Sequence, residues 1–432
     1  MKVHVKTVGC RLNQAEAERI AQGFVLVGHE VTSEESEADL LVLNSCTVTS
    51  RAARESIRAA RHHAGQKIVV TGCHSEVAPE HFADADLIVA NAEKENLVAL
   101  TTRALGLEGF ALGADYRADG ALHLYPLVLD HTRAFVKIQD GCNLSCSFCL
   151  TTIARGEARS RPLGEIVAEV RRLAARGCQE VVLTGVHAGA YGRETEGMAD
   201  LGVLLQRVLE ESDIPRVRLS SLEPWTFRTE WLELWPTWGE RLCRHLHMSL
   251  QSGSDSVLRR MRRAYRADTF ASKVAAARAI IPEVAISTDI IVGFPGETEE
   301  EQRESLAFVE AMGFASAHIF TFSPRPGTQA ATMAKQIPNA TKKQRHQEMQ
   351  VVAERSARRF REPMVGTVQP VLWERPDDAG LTPGLTDSYL RVHSRDPRAS
   401  RNTIASVRLA ALEGESFVAE WVDTEEAQLL DR

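Results

Sequence analysis

The amino-acid sequence predicts an α/β protein in three parts, from three observations. Over the first ~110 residues, strand-type runs alternate with helical spacing, the pattern of a parallel sheet with helices on its faces. From Thr132 onward, six strand-like segments are separated by helical patterns, which suggests a partial (β/α)6 barrel. The last ~67 residues change to short strands with Gly, Pro and Asp turns, the pattern of a small antiparallel β-barrel. The domains are expected at 1–112, 128–360 and 363–430.

In chain order, Val3–Thr7 is the first strand and Leu12–Leu26 has helical spacing, weakened at its end by Gly23. Leu40–Leu43 is a buried-type strand, followed by a helix from Ala52 to His62 and strands at Lys67–Val70 and Leu87–Ala90. Residues 111–130 form a connector without strong periodicity. The six central strands are expected at Ala134–Ile138, Glu180–Thr184, Arg216–Ser220, Leu246–Leu250, Ala285–Val292 and His318–Phe322. Helices between them include Leu163–Arg176, closed by Gly177, and Glu299–Met312, closed by Gly313. A basic helical linker at 331–362 is a candidate phosphate-contacting face, the alternative being a solvated surface. The final strands are read at Gln369–Trp373, Tyr389–Val392, Ala405–Leu409 and Ser416–Trp421.

Composition narrows the class. Of 432 residues, 44% are hydrophobic and 25% charged, as in an ordinary globular protein. The apolar runs are too short to span a bilayer, and the start of the chain has no charged-then-apolar leader. A cytoplasmic location without membrane contact is therefore expected. A net charge of −7 leaves nucleic-acid contact to local basic patches. Eight cysteines in this setting favour free thiols or metal ligation over disulfides.

The most informative stretch is Cys142-Asn-Leu-Ser-Cys146-Ser-Phe148-Cys149. Its three cysteines, spaced C-x3-C-x2-C, can each hold one iron of a cubane cluster and leave the fourth iron open. A zinc site would want a fourth Cys or His at similar spacing, and none follows closely. A second set is spread through the first domain. Cys10, Cys46 and Cys73 each sit just past a strand, where an open parallel sheet places its ligands on one edge. They are expected to converge and hold a second cluster; the alternative is three small buried hydrophobes. Cys178 and Cys243 have no suitably spaced partner and are read as structural thiols.

The C-x3-C-x2-C loop with its aromatic resembles the radical S-adenosylmethionine (SAM) superfamily. The resemblance extends over essentially the whole chain to the methylthiotransferases. It is carried by the six cysteines in order, by Arg155-Gly156-x-x-Arg159-Ser160-Arg161, and by the segments Leu183–His187, Arg218–Pro224, His245–Asp255, Gly293–Thr298 and Phe322–Thr328. Thr7–Gln14 and Thr184–Gly192 look most like the branch acting on N6-threonylcarbamoyladenosine at tRNA position 37. Thr152 and Ser249 stand where the family usually has proline, whose fixed φ would set the loop backbone there; the cysteine chemistry is unaffected.

The resemblance implies a central radical SAM barrel, a C-terminal RNA-binding barrel of the TRAM type, two 4Fe–4S clusters and two SAM per turnover. It implies a 5′-deoxyadenosyl radical acting at C2 of adenine, with sulfur held on the second cluster. It further implies the tRNA anticodon loop, a reductant protein and a sulfur donor as partners. Phe148 and Phe320 are expected on the SAM adenine, Gly185 at its amino group, and Ser249 and Gln251 at the ribose. Arg155, Arg159 and Arg161 are expected on the SAM carboxylate or a tRNA phosphate, with salt bridges inside the fold as the alternative. Glu223 and Asp289, near strand ends, are expected to order the site. Removing residues from ~365 onward is expected to abolish tRNA binding and spare SAM cleavage. Competing readings are methylthiolation of isopentenyladenosine-37 or of a ribosomal-protein aspartate, and a non-catalytic iron–sulfur protein that binds RNA or carries electrons.

Overall fold

The computed structural model describes residues 1–61, 65–107, 129 and 131–422. Apart from Leu129, the connector expected at 111–130 lies outside these residues, as do His62 and the domain limits drawn at 112, 128 and 430.

The first sheet contains β1 (Lys2–Thr7), β2 (Glu30–Val31), β3 (Leu40–Ser45), β4 (Lys67–Gly72) and β5 (Leu87–Ile88). They pair in the order β2-β1-β3-β4-β5, all parallel. The period-2 alternation decides which helix each residue meets. Val3, Val5, Val42 and Val69 pack under α1 (Arg11–Leu26), against Ala17, Ile20 and Phe24. Leu41, Leu43, Ile68 and Val70 pack on the other face against Ala52 and Ala59 of α2 (Ser50–Ala59). Chain direction across the sheet reverses between β1 and β3, and ligand crevices of open α/β sheets lie outside the carboxyl ends at that point. The loops leaving β1, β3 and β4 carry Cys10, Cys46 and Cys73, the last opening the short helix α3 (Cys73–Val77).

The central barrel uses β6 (Ala134–Lys137), β9 (Glu180–Thr184), β10 (Arg216–Leu219) continued by β11 (Ser221–Leu222), β12 (His245–Met248), β13 (Ala285–Val292) and β14 (Ser316–Thr321). Neighbouring staves are parallel throughout. The six expected staves are all present, the third interrupted at Ser220. A small ribbon of β7 (Gln139–Asp140) and β8 (Arg159–Ser160) brackets the Cys142–Cys149 loop and the short helix α4 (Thr151–Arg155) that follows it. Leu246, Met248, Ile286, Ile290 and Ile319 face outward into the core beneath the surrounding helices.

The basic linker is one helix, α5 (Asn339–Arg361), laid along the edge stave β14. Its cations largely serve the fold. Arg345 is buried and donates to the Glu297 carbonyl at 3.0 Å. Lys342 is buried and lies 5.2 Å from the Phe322 ring centroid. Arg355 and Arg359 both pair with Glu310. Lys343, Arg355, Arg358 and Arg359 stay exposed on its outer side.

The C-terminal strands β15 (Val368–Trp373), β16 (Thr382–Thr386), β17 (Arg391–Ser394), β18 (Ile404–Glu413) and β19 (Ser416–Trp421) close a five-stranded barrel. Strand β16 was not foreseen because its Pro383-Gly384 reads as a turn. Gly384 is there for space: a Cβ would lie 2.4 Å from Val371 Cγ1. Tyr389 lies in the β16–β17 turn with φ +67°, rather than in a strand as expected.

This small barrel plugs the amino-terminal end of the large one. Arg218, fully buried, donates to both Glu180 carboxylate oxygens and to the carbonyls of Thr386 and Asp387. Arg216 donates to the carbonyls of Pro370 and Leu385. Arg244 clasps the Asp387 carboxylate at 2.7 and 3.1 Å. Truncation near 365 would remove the carbonyls that Arg216 and Arg218 meet and the Asp387 carboxylate of Arg244, leaving Glu180 to balance Arg216 and Arg218. That truncation is therefore expected to lower the stability of the large barrel as well as to remove the RNA-binding candidate.

Candidate metal and cofactor site

Cys10, Cys46 and Cys73 come together at the carboxyl edge of the first sheet. Gly9 shows how closely: a Cβ there would lie 2.2 Å from Cys46 Sγ, and its φ of +95° suits only glycine. Gly72, at φ +103°, gives the same freedom before Cys73. Cys46 and Cys73 are buried and Cys10 is exposed. Burial, helped by the neighbouring Cys10 and Cys73, pushes the Cys46 thiol up to about 12. Burial also raises Cys73, opposed by the charges of Arg155 and Lys94. Burial disfavours the thiolates of Cys46 and Cys73, so metal binding there must displace their protons.

Cys142, Cys146 and Cys149 are half-buried on their loop at the carboxyl end of β6 and β7. Arg263 donates to Cys146 Sγ at 3.4 Å, and the Thr151 amide donates to Cys149 Sγ at 3.3 Å. His187 Nδ1 lies 3.8 Å from Cys142 Sγ, and its Nε2 lies 3.4 Å from Glu223. Burial lifts Cys142 to about 11 and Glu223 to about 8, the latter opposed by Arg263. Gln139 staples the loop to the barrel: its Nε2 donates to the carbonyls of Asp140 and Gly141, and its Oε1 accepts from the His187 amide.

The two cysteine sets meet through Arg155. Its Nε donates to Cys73 Sγ at 3.1 Å, and its Nη2 to Asn13 Oδ1 at 2.7 Å. Its Nη1 donates to Glu16 at 2.8 Å and Asp140 at 2.9 Å. Glu16 also pairs with Lys94 at 2.8 Å and Lys137 at 3.5 Å. Despite its burial, the carboxyl of Glu16 is held well below the usual range by Arg155, Lys94 and Lys137. The guanidinium expected on SAM or tRNA is thus directed to the junction between domains, a correction to the sequence reading. Arg161 is likewise internal, on the Lys137 carbonyl and Glu169. Arg159 is exposed.

The remaining expected residues line several places. Phe148 packs edge-on to Phe294 at 6.4 Å, within a small apolar cluster that includes Val257, Met261 and Phe322. Gly185 abuts Gln139, whose side chain fills the space a Cβ would need. Ser249 is buried, and its carbonyl accepts from Arg263 and Tyr265. Gln251 adopts φ +67° and its amide donates to the Asp289 carbonyl. Phe320 is half-buried on β14. Sequence reasoning missed Glu16, Lys94, Arg263 and Arg325. Arg325 donates to the Thr47 carbonyl next to Cys46, and its signal was the Ser323-Pro-Arg-Pro segment already singled out.

Known proteins resemble this chain over most of its length. Residues 2–91 match the family described as "Uncharacterized protein family UPF0004", and residues 136–309 match the Radical SAM superfamily. The threonylcarbamoyladenosine tRNA methylthiotransferase MtaB of Thermotoga maritima is 33% identical, covering 96% of each chain. That of Bacillus subtilis is 32% identical over 89% of this chain and 88% of the relative. The tRNA-2-methylthio-N(6)-dimethylallyladenosine synthase of Akkermansia muciniphila is 34% identical over 87% of this chain and 88% of the relative. Among solved structures, the radical SAM methyltransferase TsrM of Kitasatospora setae superposes with a TM-score of 0.57 at 16% identity, covering 76% of this chain and 75% of that one, a likeness of fold. No helix among the described residues is long and apolar enough to cross a membrane. The barrel fold implies SAM and a 4Fe–4S cluster, and the chain belongs to the radical SAM methylthiotransferase family.

Proposed function

We propose that this enzyme methylthiolates C2 of N6-threonylcarbamoyladenosine at position 37 of tRNA, with one 4Fe–4S cluster on each cysteine set and two SAM per turnover. The observation that carries the reading is the junction at Arg155, which reaches from just behind the Cys142–Cys149 loop to Cys73 of the other set. Each set offers three thiols, the donor number that leaves one iron of a cubane for a non-protein ligand. The identified activities of these relatives support a tRNA substrate, and the Thr7–Gln14 segment, whose Asn13 accepts from Arg155, supports the threonylcarbamoyl branch.

When bound, SAM and the two clusters supply a 5′-deoxyadenosyl radical and a sulfur, the reagents needed to replace an unactivated aromatic C–H. The chain's own residues position and shield. Arg263 and the Thr151 amide hydrogen-bond the sulfurs of Cys146 and Cys149, the kind of contact that tunes a cluster. Arg155 does the same for Cys73 while tying both domains to Glu16. Phe148, Phe320, Gly185, Ser249 and Gln251 are the proposed SAM-facing residues. The anticodon loop would enter with its adenine splayed out, bound in part by the C-terminal barrel. A reductant protein and a sulfur donor complete the balance, and the cytoplasm is the proposed compartment.

The test is nucleoside mass spectrometry of tRNA from cells with and without the protein. Loss of 2-methylthio-N6-threonylcarbamoyladenosine on deletion is the expected result. Loss of the dimethylallyl counterpart would favour the second reading, which the Akkermansia relative supports. Unchanged tRNA with an altered ribosomal-protein aspartate would overturn both.

A further inference from the structure

On the inner wall of the barrel, three adjacent staves present a second donor set with no cysteine in it. His247 on β12 is in register with Ser287, and Asp289 on β13 is in register with His318 on β14. Strand alternation puts all four on the face opposite the core residues Leu246, Ile286, Ile290 and Ile319. His247 Nε2 lies 3.1 Å from Asp289 Oδ2, and His318 Nδ1 lies 3.2 Å from Asp289 Oδ1. One ligand atom from each of the three residues falls within 4.8 Å of the others.

We infer that His247, Asp289 and His318 form a site for one divalent transition-metal ion, chemically distinct from both cysteine sets. Two imidazoles and a carboxylate suit zinc, ferrous or manganous ions and leave positions open. Both carboxylate oxygens already face an imidazole nitrogen, so an ion between them can take the carboxylate through both. The support behind the ligands is built. His247 Nδ1 shares the Ser287 hydroxyl at 2.9 Å, and that hydroxyl also meets His245 Nε2 at 2.8 Å. Such outer partners fix which ring nitrogen faces the metal. A second observation points to a cation. The Asp289 side chain is only 24% exposed, yet among the described residues it has no Lys or Arg partner; both of its ion-pair contacts are histidines. His318 is 65% exposed, which leaves the open positions accessible from the barrel interior, where an oxygen donor of a bound substrate would complete the shell.

The test uses the cluster-reconstituted full chain, freed of loose metal and titrated anaerobically with Mn2+, reading free Mn2+ by EPR, with Zn2+ as competitor. Binding of about one Mn2+ per chain, displaced by Zn2+, is expected. Affinity should fall about tenfold or more in Asp289→Asn and His318→Gln, and should persist when Cys10, Cys46 and Cys73 are all changed to Ala. His318→Gln alters an exposed side chain, so it reports even if Asp289→Asn fails to fold. Absence of binding up to millimolar Mn2+, binding that His318→Gln leaves unchanged, or binding lost with the three cysteines would each overturn the assignment.

Discussion

Arg155 Nε donates to Cys73 Sγ at 3.1 Å across 82 residues of sequence and across the boundary between the two α/β domains. The same guanidinium fills its remaining donor positions with Glu16, Asp140 and Asn13. Lysine offers a point charge with three donors and cannot reproduce this fork. Arg155→Lys is expected to lose iron from the Cys10 set while keeping the Cys142 set. Methylthiolated product should fall about tenfold or more, as for other groups that hydrogen-bond a metal ligand, while 5′-deoxyadenosine is still formed. Iron analysis with product assays on one preparation checks this. Full iron with full product would refute it.

Gly9→Ala makes a sharper version of the same prediction. The new methyl group would meet Cys46 Sγ at 2.2 Å and demand a backbone angle that alanine rarely adopts. Iron should fall to about half that of the wild type, because only the Cys142 loop keeps its ligands. Retention of all the iron would show that the Cys10, Cys46 and Cys73 thiols do not need their present spacing.

What was legible in the sequence was what periodicity and local spacing encode. Val3–Thr7, Lys67–Val70 and Ala285–Val292 announced their strands by composition, and the positions of the N-terminal cysteines past strand ends followed from topology. The Arg155 junction was not legible, because Glu16, Lys94, Lys137 and Asp140 are ordinary surface residue types until folding gathers them, the first three buried and Asp140 partly so. The plug beneath the barrel was hidden for the same reason. Arg216 and Arg218 alternate with Val217 and Leu219, which reads as a strand with one wet face, yet both arginines are buried under the C-terminal barrel.

That plug yields a stability prediction. Arg218→Met leaves Glu180 with only Arg216 and a distant Arg133, at 3.6 and 3.9 Å, and removes the donors to Thr386 and Asp387. A loss of about 3–5 kcal/mol is expected in chemical denaturation. Tyr389→Phe should cost less, about 1.5–3 kcal/mol, because it removes the hydroxyl that Arg11 and Arg133 meet and leaves the ring stacked on His245. Equal denaturation midpoints for wild type and Arg218→Met would contradict the docking role.

Thr298 offers a control whose own hydrogen bonds stay within a helix cap. Its hydroxyl accepts from the Glu301 amide, and the Glu301 carboxylate accepts from the Thr298 amide, a reciprocal cap on helix Glu299–Met312. Thr298→Ala should destabilise by about 1 kcal/mol and leave iron content and product unchanged. A change in either would show that stability alone moves those readouts.

The central claim is that two separate sets of three cysteines each hold a cluster in one reaction chamber. Mössbauer spectroscopy of the 57Fe-reconstituted chain, with and without Cys10→Ala, Cys46→Ala and Cys73→Ala together, tests it most directly. About eight irons in two cubane-type signals, falling to about four in the variant, is the predicted result. Identical spectra and iron content in the two proteins would contradict it.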